Sequence, residues 1–304
     1  MEKVMVSDEV TLLVSSCDKY RTAWFPFFEL VKQNWQEHPE RIVLNTETLQ
    51  YTHEGLNIKT INSPQGSTWS QRLSRCLGEI ESEFIIFSLE DFFLQERVNA
   101  EILEECLEKM KQNKQIACFR LKASNDAHLV KDDNSLFRLA GADVPYRLDT
   151  QFAMWRKSIL ISFIEENESP WEFEGKGTQR IRGTDKLFYW YYADNPEVIS
   201  DQLIVPYVIG HFTGYGIQWG KWLYNNEKLF KQYGISANFD ELGVLSEKEV
   251  NLRMKTVYNK DAVGKYKVIK IFWSFILKFQ HCLEIINKEG LRMFIIKARE
   301  RGRK

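Results

Sequence analysis

The sequence predicts an α/β domain built on a mixed, mainly parallel sheet flanked by helices, with a helical appendage at the carboxyl end. Three observations lead there. Strand-like and helix-like stretches alternate through roughly the first 120 residues, the pattern that winds a parallel sheet between helical layers. One stretch, Phe84–Leu89, is a nearly unbroken apolar run, as expected of a central strand buried on both faces. The length of 304 residues, with 44% hydrophobic and 27% charged residues, suits one large domain plus an appendage. Residues 1–225 are assigned to the α/β domain and 226–304 to a basic, aromatic-rich helical region.

Val10–Val14 is a short apolar strand, ending in the polar turn Ser15–Tyr20. Trp24, Phe27, Phe28, Val31 and Trp35 recur at helical spacing. Arg41–Thr46 is a second strand with polar residues at its end, and Ile58–Ile61 a third. Ser67 or Thr68 is placed to cap a helix over Trp69–Ile80. After the central strand, Ala100–Met110 is amphipathic and Ile116–Leu121 is a further strand. Ser124–Leu148 reads as a long loop, Phe152–Trp155 as a strand and Ser158–Ile164 as a short helix. Trp171–Glu174 reads as an extended segment before Gly175 and Gly177, and Thr178–Arg182 as a helical turn. Lys186–Tyr192 and Leu203–Ile209 are strands, the second interrupted by Pro206. Gly210–Trp222 is dense in glycine and aromatics, which suggests turns or close backbone approach to a ligand.

The net charge of −1 excludes a globally basic nucleic-acid binder. It hides an asymmetry, because Lys265–Lys304 holds eleven Lys/Arg against three Glu. The five cysteines are scattered and form no CxxC pair, which fits a reducing compartment. No signal-peptide pattern opens the chain and no run of ~20 apolar residues spans a bilayer, so a cytoplasmic location is expected.

Five constellations carry chemistry, each with a bland counterpart. Glu90 and Asp91 follow the central strand directly; they could hold a divalent cation, which takes carboxylate oxygens together with substrate phosphates, or open a solvated turn. Ser15, Ser16 and Asp18 could contact a base or ribose, or Asp18 could cap a helix. Arg72, in Trp69–Leu73, could meet a phosphate bidentately or sit on a solvated face. In an extended segment Glu172 and Glu174 face one side and Trp171 and Phe173 the other, which suits a general base or an amphipathic edge strand. His211 is a metal-ligand or phosphate candidate, and Lys221 could offset diphosphate charge; both have purely structural alternatives.

In order and spacing these pieces resemble bacterial glycosyltransferases of the GT-A fold, a Rossmann-like fold, of the kind that assemble capsular, lipopolysaccharide or exopolysaccharide chains. LLVSSCDKY (Leu12–Tyr20) looks like the first nucleotide-contacting strand and loop, and WSQRL (Trp69–Leu73) like the helix before the metal strand. FSLEDFFL (Phe87–Leu94) stands where the family carries its aspartate metal motif, here Glu-Asp rather than Asp-x-Asp. SPWEFEGKGTQR (Ser169–Arg180) is similar to the region of the catalytic carboxylate and acceptor contacts, and GIQWGKW (Gly216–Trp222) to a closing segment. The resemblance implies transfer of a sugar from a nucleotide-sugar, a UDP-sugar foremost, to a hydroxyl of a glycan or lipid-linked acceptor in surface polysaccharide synthesis.

It implies Glu174, or else Glu172, as base and Trp171 at the acceptor. Donor contacts fall to Ser15, Ser16, Asp18, Asn45, Thr46, Trp69, Arg72, Glu90 and Lys221. Mn²⁺ or Mg²⁺ is expected on Asp91, Glu90 and His211. The tail 265–304 would rest on the inner leaflet or pack on protein, and a homodimer is allowed. A sugar-phosphate nucleotidyltransferase and a non-catalytic glycan-binding protein are the competing readings.

Overall fold

The computed structural model describes residues 9–131, 136–200, 203–208 and 214–258. His211 and the tail 265–304 lie outside them, so the expectations for both fall outside the described residues. The chain divides into two compact units, Met1–Glu247 and Lys248–Lys304.

The first unit begins with β1 (Val10–Ser15), a 3-10 turn (Asp18–Ala23) and α1 (Trp24–Asn34). β2 (Arg41–Thr46), β3 (Ile58–Asn62), α2 (Trp69–Glu79) and β4 (Phe84–Leu89) follow. Next come α3 (Ala100–Gln112), β5 (Ile116–Ser124), β6 (Leu129–Lys131), β7 (Phe137–Ala140) and β8 (Ala153–Arg156). The unit closes with α4 (Lys157–Phe163), α5 (Pro170–Arg180), β9 (Leu187–Tyr192), β10 (Ile217–Gln218), β11 (Lys221–Leu223), α6 (Asn226–Gln232) and β12 (Val244–Leu245). α6 and β12 thus belong to the first unit, past the boundary expected at 225. A helix α7 (Glu247–Tyr258) runs into the second unit.

Nine strands form one sheet in the order β3-β2-β1-β4-β8-β5-β9-β7-β6. β3, β2, β1 and β4 are mutually parallel, and β5 pairs parallel with β9. β8 runs antiparallel between β4 and β5, and β7 and β6 are also antiparallel. The sheet is therefore mixed and mainly parallel, as expected. Alternating residues feed two cores: Leu12, Val14, Phe84 and Ile86 pack with α1 and α3 on one face, and Leu13, Ile85 and Phe87 with α2 on the other. That two-sided burial is why β4 reads as continuously apolar.

Three expectations need correction. Ser124–Leu148 is not one loop, because β6 and β7 form an antiparallel hairpin within it. The segment 203–208 is no strand; it is tied to the chain before α3 by the Gln95 N–H to Pro206 O and Asn99 N–H to Ile204 O hydrogen bonds. Trp171–Glu174 is not extended but opens α5. Pro170 occupies the first turn of α5, where its missing N–H costs nothing. Ser169 and Glu172 form a reciprocal capping box there. Ser169→Ala should lower stability by about 1 kcal/mol, measurable by denaturant unfolding. Among the described residues no helix is long and apolar enough to cross a membrane.

Candidate active site

The parallel strands deliver their polar ends to one sheet edge. The register places Ser15 between Asn45 and Leu89, so Glu90 and Asp91 emerge beside Ser15 and Ser16. Because β8 runs the other way, its incoming residues Asp149–Phe152 reach the same edge; Ala153 pairs with Phe87 and with Arg120.

Glu90 and Asp91 are both buried. Burial drives the Glu90 carboxyl well above the usual carboxylate range, and the charge of Asp91 adds to it; a Ser16 hydrogen bond and Arg72 act the other way. Burial also raises Asp91, opposed by the Ile217 N–H, which donates to its Oδ2 at 2.9 Å. Among the described residues neither acid forms an ion pair, and no group of three or more His, Cys, Asp or Glu converges to hold a metal. Two adjacent, buried carboxyls that resist ionisation fit a divalent cation, since a hard cation would compensate their charge. Glu90 and Asp91 would then be the residues that hold it, with the other positions left to phosphate oxygens and water.

The expected nucleotide contacts are here but largely engaged with one another. Trp24 Nε1–H donates to Ser16 Oγ at 2.8 Å, and Trp69 Nε1–H to Ser15 Oγ at 3.2 Å. The Asp18 carboxylate accepts from Thr46 Oγ1, the Thr48 hydroxyl and the amides of Glu47, Thr48 and Leu49. Burial would raise its pKa, but these bonds, led by Thr48 and Thr46, lower it overall. Asp18 is thus the anchor of the loop after β2. Arg72 is buried and donates to Glu47 Oε1 at 3.3 Å and Ser67 O at 2.9 Å, so it is not on a solvated face. It sits in α2, which Thr68 and Gln71 start with a capping box. Asn45 is buried with neither amide atom hydrogen-bonded. Lys221 is exposed on β11, in the hairpin whose Ile217 reaches Asp91.

The helical form of α5 separates the two glutamates, since residues two apart on a helix point to different sides. Glu172 accepts the Ser169 N–H and pairs with Lys176 at 2.9 Å. The Ser169 amide, with Lys176, lowers its pKa to about 2, which makes it a poor proton acceptor at neutral pH. Glu174, Gly177 and Thr178 instead share the face that meets the chain entering β8. Glu174 Oε1 accepts from Thr150 N at 2.9 Å and from Thr150 Oγ1 at 2.6 Å. Thr178 Oγ1 accepts the Leu148 N–H. A Cβ on Gly177 would lie 2.6 Å from Leu148 Cδ2, so a larger residue there would have to push the Leu148 side chain aside. Trp171 is 78% exposed one turn before Glu174, and Phe173 is buried against Trp69.

Asp149, whose carboxyl feels the charge of Glu174, and its partner Arg120 carry no motif in the sequence. Asp149 is buried and pairs with Arg120 at 2.5 Å. The Arg120 guanidinium lies 4.3 Å from the Trp190 ring centre. Burial pushes Asp149 up to about 6; Arg120 opposes the rise and Glu174 adds to it. The buried Tyr207 donates to Gln151 Oε1 and accepts the Phe152 N–H.

Asp149 makes stability depend on pH in a definite direction. Its pKa rises from 3.8 unfolded to about 6 folded, so the folded state holds the proton more tightly. Between those values the folded state binds more protons, and stability falls as pH rises. The full cost, up to about 3 kcal/mol, is reached above pH ~6. Unfolding free energies across that range should therefore drop more steeply for the wild type than for Asp149→Asn. Parallel curves would show that Asp149 ionises normally.

No protein-family model matches the chain, and no curated protein does. Among solved structures, S. aureus TarS 1-349 in complex with UDP-GlcNAc aligns at 12% identity and a TM-score of 0.40, covering 66% of this chain and 62% of that one. The bifunctional IspDF of Campylobacter jejuni aligns at 13% identity and 0.36, covering 62% and 50%. A cytidylyltransferase from Leptospira borgpetersenii aligns at 13% and 0.37, covering 61% and 76%. The chain spans about three-fifths of the TarS 1-349 structures it matches.

Proposed function

We propose that the protein transfers a sugar from a nucleotide-sugar to a hydroxyl of a glycan or lipid-linked acceptor. The observation that carries this reading is the meeting, at one sheet edge, of a buried acid pair and a second carboxylate. Glu90 and Asp91 leave β4, while Thr150, entering β8, holds Glu174. Glu90 and Asp91 would hold Mn²⁺ or Mg²⁺, which supplies charge stabilisation to the departing diphosphate. Glu174 keeps Oε2 free of the Thr150 contacts and would take the acceptor's proton, with Trp171 exposed beside it as an acceptor surface. Arg72, near Glu90, adds positive charge on the nucleotide side. Ser15, Ser16, Asp18, Asn45, Thr46 and Trp69 shape the pocket for base and ribose, Asp18 by fixing the loop after β2.

The nucleotidyltransferase reading fits less well. The turn after β1 has no glycine, and Asp18 ties it to the next loop, leaving no free backbone cradle for a triphosphate. The test is a thermal-shift screen against UDP-, GDP-, dTDP- and CMP-sugars and their free nucleotides, with and without Mn²⁺. One nucleotide class should raise Tm by several degrees at ~100 Kd, more with Mn²⁺. No shift with any member rejects the reading; a shift confined to nucleoside triphosphates favours nucleotidyl transfer.

An acceptor on a lipid carrier would bring the enzyme to the inner leaflet, and the tail 265–304, with a balance of +8, is the segment suited to it. Sedimentation with anionic liposomes should retain the full chain and lose a truncation ending near Val263. Equal binding of the two would leave the tail to protein packing.

A further inference from the structure

The peptide plane that reaches Asp91 is gripped from its other end. Its N–H is that of Ile217, which donates to Asp91 Oδ2 at 2.9 Å. Its carbonyl is that of Gly216, and in a trans peptide the C=O and the following N–H point in opposite directions. Gly216 O accepts from Asn226 Nδ2 at 2.6 Å and from the Leu223 N–H at 3.1 Å. The Gly216 N–H donates in turn to Asn226 Oδ1 at 3.0 Å. One side-chain amide thus satisfies both backbone polar groups of Gly216.

Gly216 needs such a grip. Its φ of +89° lies where glycine is at ease and other residues are not, and glycine has the least self-determined backbone of any residue. Asn226 is itself fully buried and opens α6, so its amide is held by a packed helix. The ring of Phe230, on α6, lies 5.0 Å from that of Phe93, centre to centre. Trp222, which pairs with Ile217 across the hairpin, lies 6.0 Å from the same ring. Hairpin and helix are therefore both seated on the chain just past Asp91, and Asn226 joins them. The far end of the plane it holds meets one of the two acids that would bind the cation.

We propose that Asn226 is a positioning residue for the cation at Glu90 and Asp91. By clamping the Gly216 carbonyl it aims the Ile217 N–H at Asp91, and so fixes that carboxylate in one orientation before a cation arrives. Donors on the carbonyl also polarise the plane and strengthen its N–H as a donor. Outer partners of this kind orient metal-binding carboxylates, and losing one typically weakens metal affinity 10–100-fold. The inference rests on the cation assignment within the transferase reading given above.

The experiment measures Mn²⁺ binding to wild type, Asn226→Ala and Leu229→Ala through the EPR signal of the free ion, well below the melting temperature of each. Leu229, buried three residues further along α6, is the packing control. Both variants should melt lower than wild type. Asn226→Ala should bind Mn²⁺ at least about tenfold more weakly, and Leu229→Ala as tightly as wild type. Asn226→Ser keeps a hydroxyl but not the reach to Gly216 O, and it carries the same prediction if the alanine variant does not fold. Unchanged Mn²⁺ affinity in the Asn226 variants, or an equal loss in Leu229→Ala, makes Asn226 part of the packing and overturns this inference alone. A wild type that binds no Mn²⁺ overturns the cation assignment beneath it.

Discussion

Replacing Asp91 by Asn should cripple the proposed transfer and leave the fold intact. The loss expected is ~100-fold or more in kcat, because one charge-assisted contact to the transition state is worth on the order of 3 kcal/mol. The hairpin stays docked, since an amide oxygen still accepts the Ile217 N–H that now meets Asp91 Oδ2. The wild type should melt higher with Mn²⁺, and the variant should not. Without the cation it should be no less stable than wild type at neutral pH, because a buried carboxylate with no ion pair among the described residues is replaced by a neutral group. Near-normal turnover with a retained Mn²⁺ response removes Asp91 from the site.

Glu174→Gln should lower kcat by ~10²–10⁴, the range for removing a general base, with donor affinity nearly unchanged. The substitution is conservative for structure, as a glutamine oxygen still accepts both Thr150 bonds. Glu172→Gln is the control. Its carboxylate caps α5 and pairs with Lys176, so its loss should appear in stability rather than turnover. If Glu172→Gln is the crippled variant, the assignment of the base is reversed. If neither variant changes kcat, the buried Asp149 is the next residue to replace.

The first half of the fold was legible because its signals are local. β4 spans the residues its apolar run predicts, β2 likewise, and of the two candidate caps, Ser67 and Thr68, it is Thr68 that caps α2. The acid pair was legible for the same reason: it follows a strand whose two-sided burial shows in sequence. α5 was misread although its signal was present. Trp-Glu-Phe-Glu alternates like a strand and two glycines weaken the helical pattern. Yet Ser169-Pro170 followed by Glu172 is a capping box with proline in the first turn, which outranks four residues of alternation. Asp149, Arg120 and Thr150 could not be found this way. They meet only because β8 slots antiparallel between β4 and β5, a pairing between residues far apart in sequence. Ser15, Ser16 and Asp18 were legible as polarity at a strand end, but not the hydrogen bonds to Trp69, Trp24 and Thr46 that engage them.

The same slot bears on how the chain is made. β1 to β4 all lie within residues 10–89, and they can assemble as a parallel quartet early in synthesis. One edge of that quartet is β4, Phe-Ile-Ile-Phe-Ser-Leu, and its partner β8 is more than sixty residues away along the chain. Until β8 emerges, an apolar strand edge stands open to any other strand, the usual route to aggregation of a nascent chain. A chain stopped between β5 and β8, for example after Ser124, should be insoluble, whereas one ending after Glu247 closes the sheet. The strand that covers the edge also brings in Asp149 and Thr150. Closing the sheet and bringing the candidate site's residues together are therefore one event, and a ribosome-bound chain that has not yet hidden β4 has not yet assembled that edge.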